Sequence, residues 1–442
     1  MTPYKTADYK HFKVDGHEFI FLPENCSVYE LTANINTVLE ESLLFENLIK
    51  EELLSGSKAA ALNEDIPLQT LVLHTTDQCN LDCKYCYNRK SKKSLNYEKI
   101  MTRTVALRAI DFLISNSGNR QALTLVFFGG EPLLNYDLIA YAVEYATAQA
   151  VKNNKKINFT ITTNGTLLTK QIINFLRENN ISVTVSIDGC SEIQDQNRRF
   201  LNGSPTYDVI LPKIKNLLKD MDKMPVAARV TVTKGSMEDI KGTLFHLLNM
   251  GFSEAGFAPV TTGDVCFQLD EQDMAKLLSC FKDLSDDFLD LAAREDLLGF
   301  TNLIDLLVLI HEGDIKKYPC GAGLGLFCVD AEGRLYICQW FVGDPDSHMG
   351  DIYKGIDIKK AAVLRKEVEK NRRKLCQKCW ARNLCAGGCY HEALVREGKL
   401  SLPNRHYCRW IKDWMEVGLN VYGRLAIDRP EYLDRLSRMR GR

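Results

Sequence analysis

An α/β architecture, built on a partial barrel of six βα units with a small region before it and a cysteine-rich one after it, is the fold class this 442-residue sequence predicts. Three observations carry that expectation. Strand-like and helical runs alternate six times between about residues 68 and 265, and repeated βα units of that length build a parallel sheet with right-handed crossovers. Hydrophobic residues make up 45% of the chain, enough for a sizeable core, yet no run of ~18 apolar residues is present to span a membrane. The chain also holds 15 cysteines, most of them in two clusters near residue 80 and beyond residue 318.

Taken in order, residues 1–65 read as a small separate unit. His17–Leu22 is a short strand, Pro23-Glu24-Asn25 a turn and Ser27–Leu31 a second strand; a helical pattern follows through Ile35, Val38, Leu39, Leu43 and Leu44. The Gly, Ser, Ala and Asn content of Ser55 to Glu64 marks a linker. The barrel occupies 66–270. Its strands are predicted at Leu71–Thr76, Leu123–Phe128, Asn158–Thr163, Ser182–Ile187, Ala227–Thr233 and Ala255–Val260. Helical patterns lie around 99–116, 136–153, 169–179, 207–221 and 237–250, and chemistry is expected at the strands' C-terminal ends. A helical bridge over 271–318 leads to short strands, turns and cysteines over 319–410, then to a C-terminal helix over 411–442. The basic run from Arg89 to Lys93 reads as a solvated loop.

With 56 Lys+Arg against 57 Asp+Glu, the formal net charge of -1 fits neither a nucleic-acid binder driven by bulk basicity nor an acidic disordered chain. The N-terminal residues lack the apolar stretch of a secretory signal, so a cytoplasmic protein is expected. In that reducing compartment clustered cysteines are read as metal ligands or catalytic thiols rather than a disulfide framework.

Directly after the first barrel strand stands Cys79-Asn80-Leu81-Asp82-Cys83-Lys84-Tyr85-Cys86, a C-x3-C-x2-C loop. Three thiolates this close can each hold one iron of a [4Fe–4S] cube and leave the fourth iron open to a ligand. Zinc with a fourth ligand, or a chance grouping, are the competing readings. Further segments end the next three strands: Gly129-Gly130-Glu131-Pro132, Thr162-Thr163-Asn164-Gly165 and Ser186-Ile187-Asp188-Gly189, followed by Asp195-Gln196-Asn197-Arg198. Alone, each could be an ordinary turn or strand terminator. In this order they resemble the radical S-adenosylmethionine (SAM) enzymes, which implies a partial (β/α)6 TIM barrel. The resemblance makes Cys79, Cys83 and Cys86 ligands of a [4Fe–4S] cluster. It also gives Tyr85, Gly129, Gly130, Glu131, Thr163, Asn164, Ser186, Asp188 and Arg198 to the SAM site. Glycines allow close backbone approach, the Glu131 carboxylate suits SAM's amino group, and the Arg198 guanidinium suits a carboxylate.

The second cluster, Cys376-x2-Cys379-x5-Cys385-x3-Cys389, is preceded by Cys320 and Cys338 and followed by Cys408. It resembles the SPASM domain, with all seven of that domain's cysteine positions filled. The resemblance implies two auxiliary [4Fe–4S] clusters, one on Cys376, Cys379, Cys385 and Cys408 and one on Cys320, Cys338 and Cys389. Cys328 is either a further ligand of the latter or a small buried side chain. Cys26, Cys190, Cys266 and Cys280 have no partner at ligand spacing and read as packing residues, with Cys190 and Cys266 near enough to strand ends to face the pocket.

SPASM enzymes mostly act on peptides or proteins, and the region from Cys320 to Gly343 resembles thioether-forming maturases of ribosomally made peptides and the maturase of quinohemoprotein amine dehydrogenase. The expected function is therefore SAM cleavage to a 5′-deoxyadenosyl radical and oxidative crosslinking of a substrate peptide, most simply through cysteine sulfur. The partners implied are a leader-bearing, Cys-containing peptide or small protein and a reductant such as flavodoxin or ferredoxin, with no membrane and no nucleic acid. The N-terminal strands resemble a shortened peptide-recognition module, which would capture a leader as an added edge strand; a simple cap on the barrel is the other reading. Two departures stand out. The histidine usual after the second SPASM cysteine is Gln339, and sulfatase maturases carry an acidic base there, a role glutamine cannot fill. Sulfatase maturation, carbon–carbon crosslinking and a non-enzymatic iron–sulfur or zinc module are the alternatives.

Overall fold

The computed structural model describes residues 9–31, 67–87, 99–221 and 224–441. The expected helix through Ile35 to Leu44, the linker from Ser55 to Glu64 and the basic run from Arg89 to Lys93 lie outside the described residues. Contacts divide the chain into two units: one of residues 1–62, 271–320 and 366–442, the other of residues 63–270 and 321–365.

In the first unit, strands β1 (Lys10–Val14), β2 (His17–Leu22) and β3 (Ser27–Leu31) form an antiparallel meander in the order β1-β2-β3. The β1–β2 turn closes at Asp15-Gly16, both with positive φ, as a tight hairpin requires. Helices Glu271–Ala292, Thr301–His311, Cys408–Asp428 and Pro430–Met439 pack with them, around an aromatic knot in which Phe281 meets Phe300, Trp410 and Trp414 edge-on at 5.0, 5.9 and 5.0 Å. The single helix expected over 411–442 is two helices, because Pro430 has no N–H to continue the first and instead opens the second.

The second unit holds the six predicted parallel strands, β4 (Thr70–His74), β5 (Ala122–Phe128), β6 (Lys156–Thr163), β7 (Ser182–Ser186), β8 (Val226–Val232) and β9 (Glu254–Pro259), paired in sequence order. The crossover helices are Arg103–Ser115, Tyr136–Lys152, Lys170–Glu178, Tyr207–Asp220 and Ile240–Met250. Local chemistry marks their ends. Thr102 and Thr169 side chains cap the N-termini of the first and third, and Gly251 at φ 112° closes the last in the left-handed region.

The ladder register gives this sheet two unlike faces. Leu71, Leu73, Leu125, Phe127, Phe159, Ile161, Val183, Val185, Ala228, Val230, Ala255 and Phe257 share one face and are all buried. The opposite face carries Thr124, Asn158, Thr160, Thr162, Ser182, Thr184, Ser186, Arg229 and Thr231, none of them buried, together with the apolar Val72, Val126, Phe128, Ala227 and Ala258.

The sheet does not stop at β4. Strand β10 (Leu326–Val329) pairs parallel with it, Cys328 opposite Val72, and β11 (Arg334–Tyr336), β12 (His348–Asp351) and β13 (Gly355–Ile356) extend the sheet antiparallel to ten strands. The region read as short strands and turns also contains the helices Ile358–Cys376 and Tyr390–Glu397. The first of these has few buried positions, so its apolar periodicity is faint.

Candidate functional site

The cysteine loop is strapped to the segment after β7 by backbone before any side chain is considered. The Asp82 N–H donates to the Arg199 carbonyl at 2.8 Å and the Lys84 N–H to the Asn197 carbonyl at 2.9 Å; Leu81 bridges Phe200 antiparallel. Within the loop the Cys86 N–H reaches the Cys83 carbonyl at 3.1 Å. Cys83 is buried, whereas Cys79 and Cys86 are half-buried.

Side chains then lock it. The Tyr85 hydroxyl donates to Asp188 Oδ2 at 2.6 Å and accepts from Arg198 Nη1 at 2.7 Å, and all three residues are buried. Asp188 Oδ1 accepts from the Thr231 N–H at 3.1 Å, so this carboxylate ties the end of β7 to β8. Burial pushes the Asp188 carboxyl up, opposed by the Arg198 charge and the hydrogen bonds from Tyr85 and Thr231. Burial works against the Arg198 cation too, but Tyr85, Cys83 and Asp188 outweigh it and keep the guanidinium charged. Expected as pocket contacts, Tyr85, Asp188 and Arg198 spend much of their bonding capacity on each other. One atom is left over: Arg198 Nε is buried with no hydrogen-bond partner among the described residues.

The other strand-end residues converge beside the loop. The Gly130 N–H donates to the Thr76 carbonyl and the Glu131 N–H to the Gln78 carbonyl, both at 2.8 Å. A Cβ on Gly129 would lie 2.4 Å from the Thr76 carbonyl oxygen, and one on Gly130 would lie 2.1 Å from that of Gln78. The close approach that demands these glycines is thus to the chain leading into Cys79. Glu131, fully buried, accepts from Leu133 N–H and Thr163 Oγ1 on one oxygen and from Asn164 N–H on the other. Burial pushes its carboxyl up against those three bonds. Asn164 Nδ2 donates to Asn80 Oδ1 at 3.0 Å and to Cys79 Sγ at 3.9 Å. Ser186 closes β7, beside Arg229 in the β7–β8 ladder.

Several residues here had no individual signal in the sequence. Thr166 accepts from Asn80 at 2.8 Å, and Gln194 accepts from the Asp188 N–H at 2.9 Å while donating to Thr206. Asp195, the acid of the D-x-x-R segment, accepts from the Thr206 and Tyr207 N–H groups and so caps the helix Tyr207–Asp220. It stands 11 residues before Thr206, too far along the chain for a local capping signal to show. A surface groove lined by Arg103, Asp137, Tyr141, Glu144, Phe175 and Asn179 lies on the outer helices, not at the strand ends.

In the same unit Tyr87 is half-buried, its hydroxyl turned inward and its ring 4.5 Å from that of Trp340. Burial, then charge on Cys86, Cys328, Cys338 and Asp77, pushes its hydroxyl up. Cys328 is itself fully buried, its thiol pushed well up by burial and then by Cys338.

In the first unit Cys376, Cys379, Cys385 and Cys408 lie within electrostatic reach of one another. Burial, then the neighbouring thiols, pushes Cys376 and Cys385 up to about 11 each. Cys320 and Cys389 both act on Tyr390. Among the described residues no three His, Cys, Asp or Glu side chains already stand in a ready metal-ligand arrangement. The segment is anchored by β2 and its turn: Trp380 meets Phe21 edge-on at 6.0 Å, Asn383 Nδ2 donates to the Pro23 carbonyl at 2.7 Å, and Arg382 pairs with Glu24. Of the four remaining cysteines, Cys26 is fully buried, with its thiol pushed up to about 12 by burial. Cys190 and Cys280 are half-buried. Cys266 is exposed in a turn where its N–H binds Asp264, so the packing role expected for it does not hold.

Comparison with known proteins agrees with this arrangement. The Radical SAM superfamily model matches residues 73–247. An uncharacterized protein of Methanocaldococcus jannaschii is 31% identical over 59% of this chain and 88% of its own length. A cysteine-type anaerobic sulfatase-maturating enzyme of Clostridium perfringens is 26% identical over 79% of this chain and 96% of its own. In fold, native anSMEcpe with bound AdoMet matches at a TM-score of 0.70 and 23% identity, covering 82% of this chain and 100% of that one. Streptococcus suis SuiB bound to precursor peptide SuiA matches at 0.54 and 16%, over 91% and 99%. No helix among the described residues is long and apolar enough to cross a membrane. A cysteine loop strapped to successive parallel strand ends, a matching family model and full-length relatives together place the chain among the enzymes of the radical SAM superfamily, in the company of its peptide and protein maturases.

Proposed function

We propose that the chain is a peptide maturase that oxidatively joins a cysteine sulfur to a carbon of an acceptor residue. The observation that carries this is the pairing of a locked C-x3-C-x2-C loop with the complete seven-cysteine SPASM pattern. Family membership implies SAM and one [4Fe–4S] cluster, and the residues present fit both. Cys79, Cys83 and Cys86 offer three soft thiolates and no fourth. The orphaned, buried Arg198 Nε is a donor for SAM's carboxylate, and Glu131, with three bonds accepted, keeps acceptor capacity for its ammonium. Cluster and SAM, when bound, supply a 5′-deoxyadenosyl radical and the oxidising equivalents for removing two hydrogens from substrate. The protein's part is to fix the loop, hold the two charged ends of SAM and seat the peptide on the open polar face. We further propose auxiliary clusters on Cys376, Cys379, Cys385 and Cys408, and on Cys320, Cys338 and Cys389, with Cys328 near enough to Cys338 to be a further ligand. The β1–β3 meander is proposed as the leader-binding module, flavodoxin or ferredoxin as the reductant and the cytoplasm as the compartment.

Holoenzyme with SAM, dithionite and a small Cys-rich peptide should give a product two hydrogens lighter per link, with the linked cysteine no longer alkylatable. A product of the same mass loss with every thiol intact would replace sulfur–carbon by carbon–carbon linkage. The 26% identity to a sulfatase-maturating enzyme favours a second reading, oxidation of a single cysteine or serine in a sulfatase. Gln339 counts against it, since an amide cannot accept the proton. An aldehyde formed on a sulfatase-derived peptide would decide for that reading.

A further inference from the structure

We propose that the exposed basic face of the second cysteine segment is the docking surface for an acidic, one-electron carrier protein. This rests on the maturase reading, with its cluster at Cys376, Cys379, Cys385 and Cys408, and deepens it by naming where the carrier lands. Between Lys366 and Cys408 ten Lys and Arg stand against four Glu and no Asp, in a chain whose formal net charge is -1. So local an excess creates a steering field at one place on the surface.

All four Glu of that segment are already engaged. Glu367 pairs with Lys399 at 3.1 Å, Glu369 with Lys317 at 3.3 Å, Glu392 with Arg396 at 3.3 Å and Glu397 with Arg405 at 3.0 Å. The surplus is displayed on one side. Lys366, Lys370, Arg373 and Lys374 are exposed and follow the i, i+4, i+7, i+8 spacing on the helix Ile358–Cys376, which sets them in one stripe. Buried Val368 marks the opposite side of that helix. The helix ends at Cys376, and exposed Lys378 lies between Cys376 and Cys379. Exposed Cys408 opens the helix Cys408–Asp428, with exposed Lys412 one turn on and on the same face. Positive charge thus flanks the thiol set at both its chain ends.

The chemistry of that face selects the partner. Cys408 is exposed and Cys376 and Cys379 are half-buried, so a cluster held there stands within reach of a second protein's redox group. Electron-carrier encounters are small and transient, and opposite charge rather than a large apolar contact gives them orientation and speed. Nucleic acid is the other polyanion to weigh, but the helix Ile358–Cys376 has no aromatic side chain on which a base could stack.

The test titrates reconstituted holoenzyme with an oxidised, acidic flavodoxin by isothermal calorimetry. Wild type should bind it, with affinity falling at least tenfold between about 50 and about 300 mM salt, as a contact steered by exposed charge requires. Lys366→Gln, Lys370→Gln, Arg373→Gln and Lys374→Gln combined should cost at least tenfold at the lower salt, with iron content and SAM affinity kept within twofold. Lys366→Arg, Lys370→Arg and Lys374→Arg combined should keep wild-type affinity within twofold, because the face offers charge. Arg89→Gln, Lys90→Gln, Lys92→Gln and Lys93→Gln combined, at the other basic run, should change binding less than twofold. No binding by wild type, an unaffected stripe variant, or a loss at the 89–93 run in place of the stripe overturns the proposal. So does tighter binding of a short poly-uridine RNA than of flavodoxin at the same salt, which would assign the face to nucleic acid. The readout is binding, so a holoenzyme that modifies no peptide would sink the maturase reading and leave this docking measurable.

Discussion

The two cysteine segments are held by opposite means. The first, in the unit of parallel strands, hangs on a buried polar network: Tyr85 between Asp188 and Arg198, with Asn164 reaching from β6 to Cys79. The second, in the helical unit, is held by an aromatic contact, one backbone-directed amide and a surface ion pair from the β2 strand and turn. Polar networks in low dielectric fix one geometry and fail abruptly when a member is lost. Apolar anchors yield more gradually. The rigid mounting serves the loop that must hold SAM at a defined distance, and the yielding one serves the segment whose thiols are proposed to close around an auxiliary cluster.

That contrast can be broken at either end. Cys83→Ala should have the largest effect: no 5′-deoxyadenosine above background, with iron still bound by the second segment, as read by product chromatography and iron analysis. Loss of iron from both segments would show that they load as one. Arg198→Met leaves Asp188 buried without its counter-charge and should cost about 3–5 kcal/mol in denaturant unfolding. Phe21→Ala, at a fully buried ring, should cost a similar ~3–5 kcal/mol. The two should part in a second measurement: the arginine variant loses SAM affinity, and the phenylalanine variant loses iron from the second segment alone. Tyr85→Phe removes one buried hydroxyl from between two charged groups and should cost about 1–3 kcal/mol with SAM cleavage slowed rather than abolished. Glu24→Gln, at a half-exposed partner of Arg382, should change stability by under about 1 kcal/mol. A larger loss would mean that the second segment depends on charge after all.

Much of this was legible in the residues because the signals are local. Strands β4 to β9 have β-rich runs and clear helical runs between them, so their ranges and order follow from periodicity. The cysteine spacings and the strand-end motifs are likewise short patterns. What escaped is non-local. Nothing in Leu326-Phe327-Cys328-Val329 says that it pairs with Thr70–His74. The division of labour at the site escaped for another reason. Tyr85, Asp188 and Arg198 are chemically suited both to SAM and to each other, and only geometry shows how much each gives to its neighbours.

The partner of β4 has a bearing on how the protein is made. β4 carries the cysteine loop, and its second hydrogen-bonding edge is filled by β10, a strand that leaves the ribosome roughly 250 residues later. Until then β5 to β9 can assemble beside it, but the strand that mounts the catalytic loop remains an open edge, the kind of surface that recruits other chains. Contacts so distant in sequence form slowly. The late-arriving strand therefore makes completion of the loop's own foundation a checkpoint on synthesis, and chains interrupted before Leu326 should aggregate rather than accumulate as half-finished enzyme.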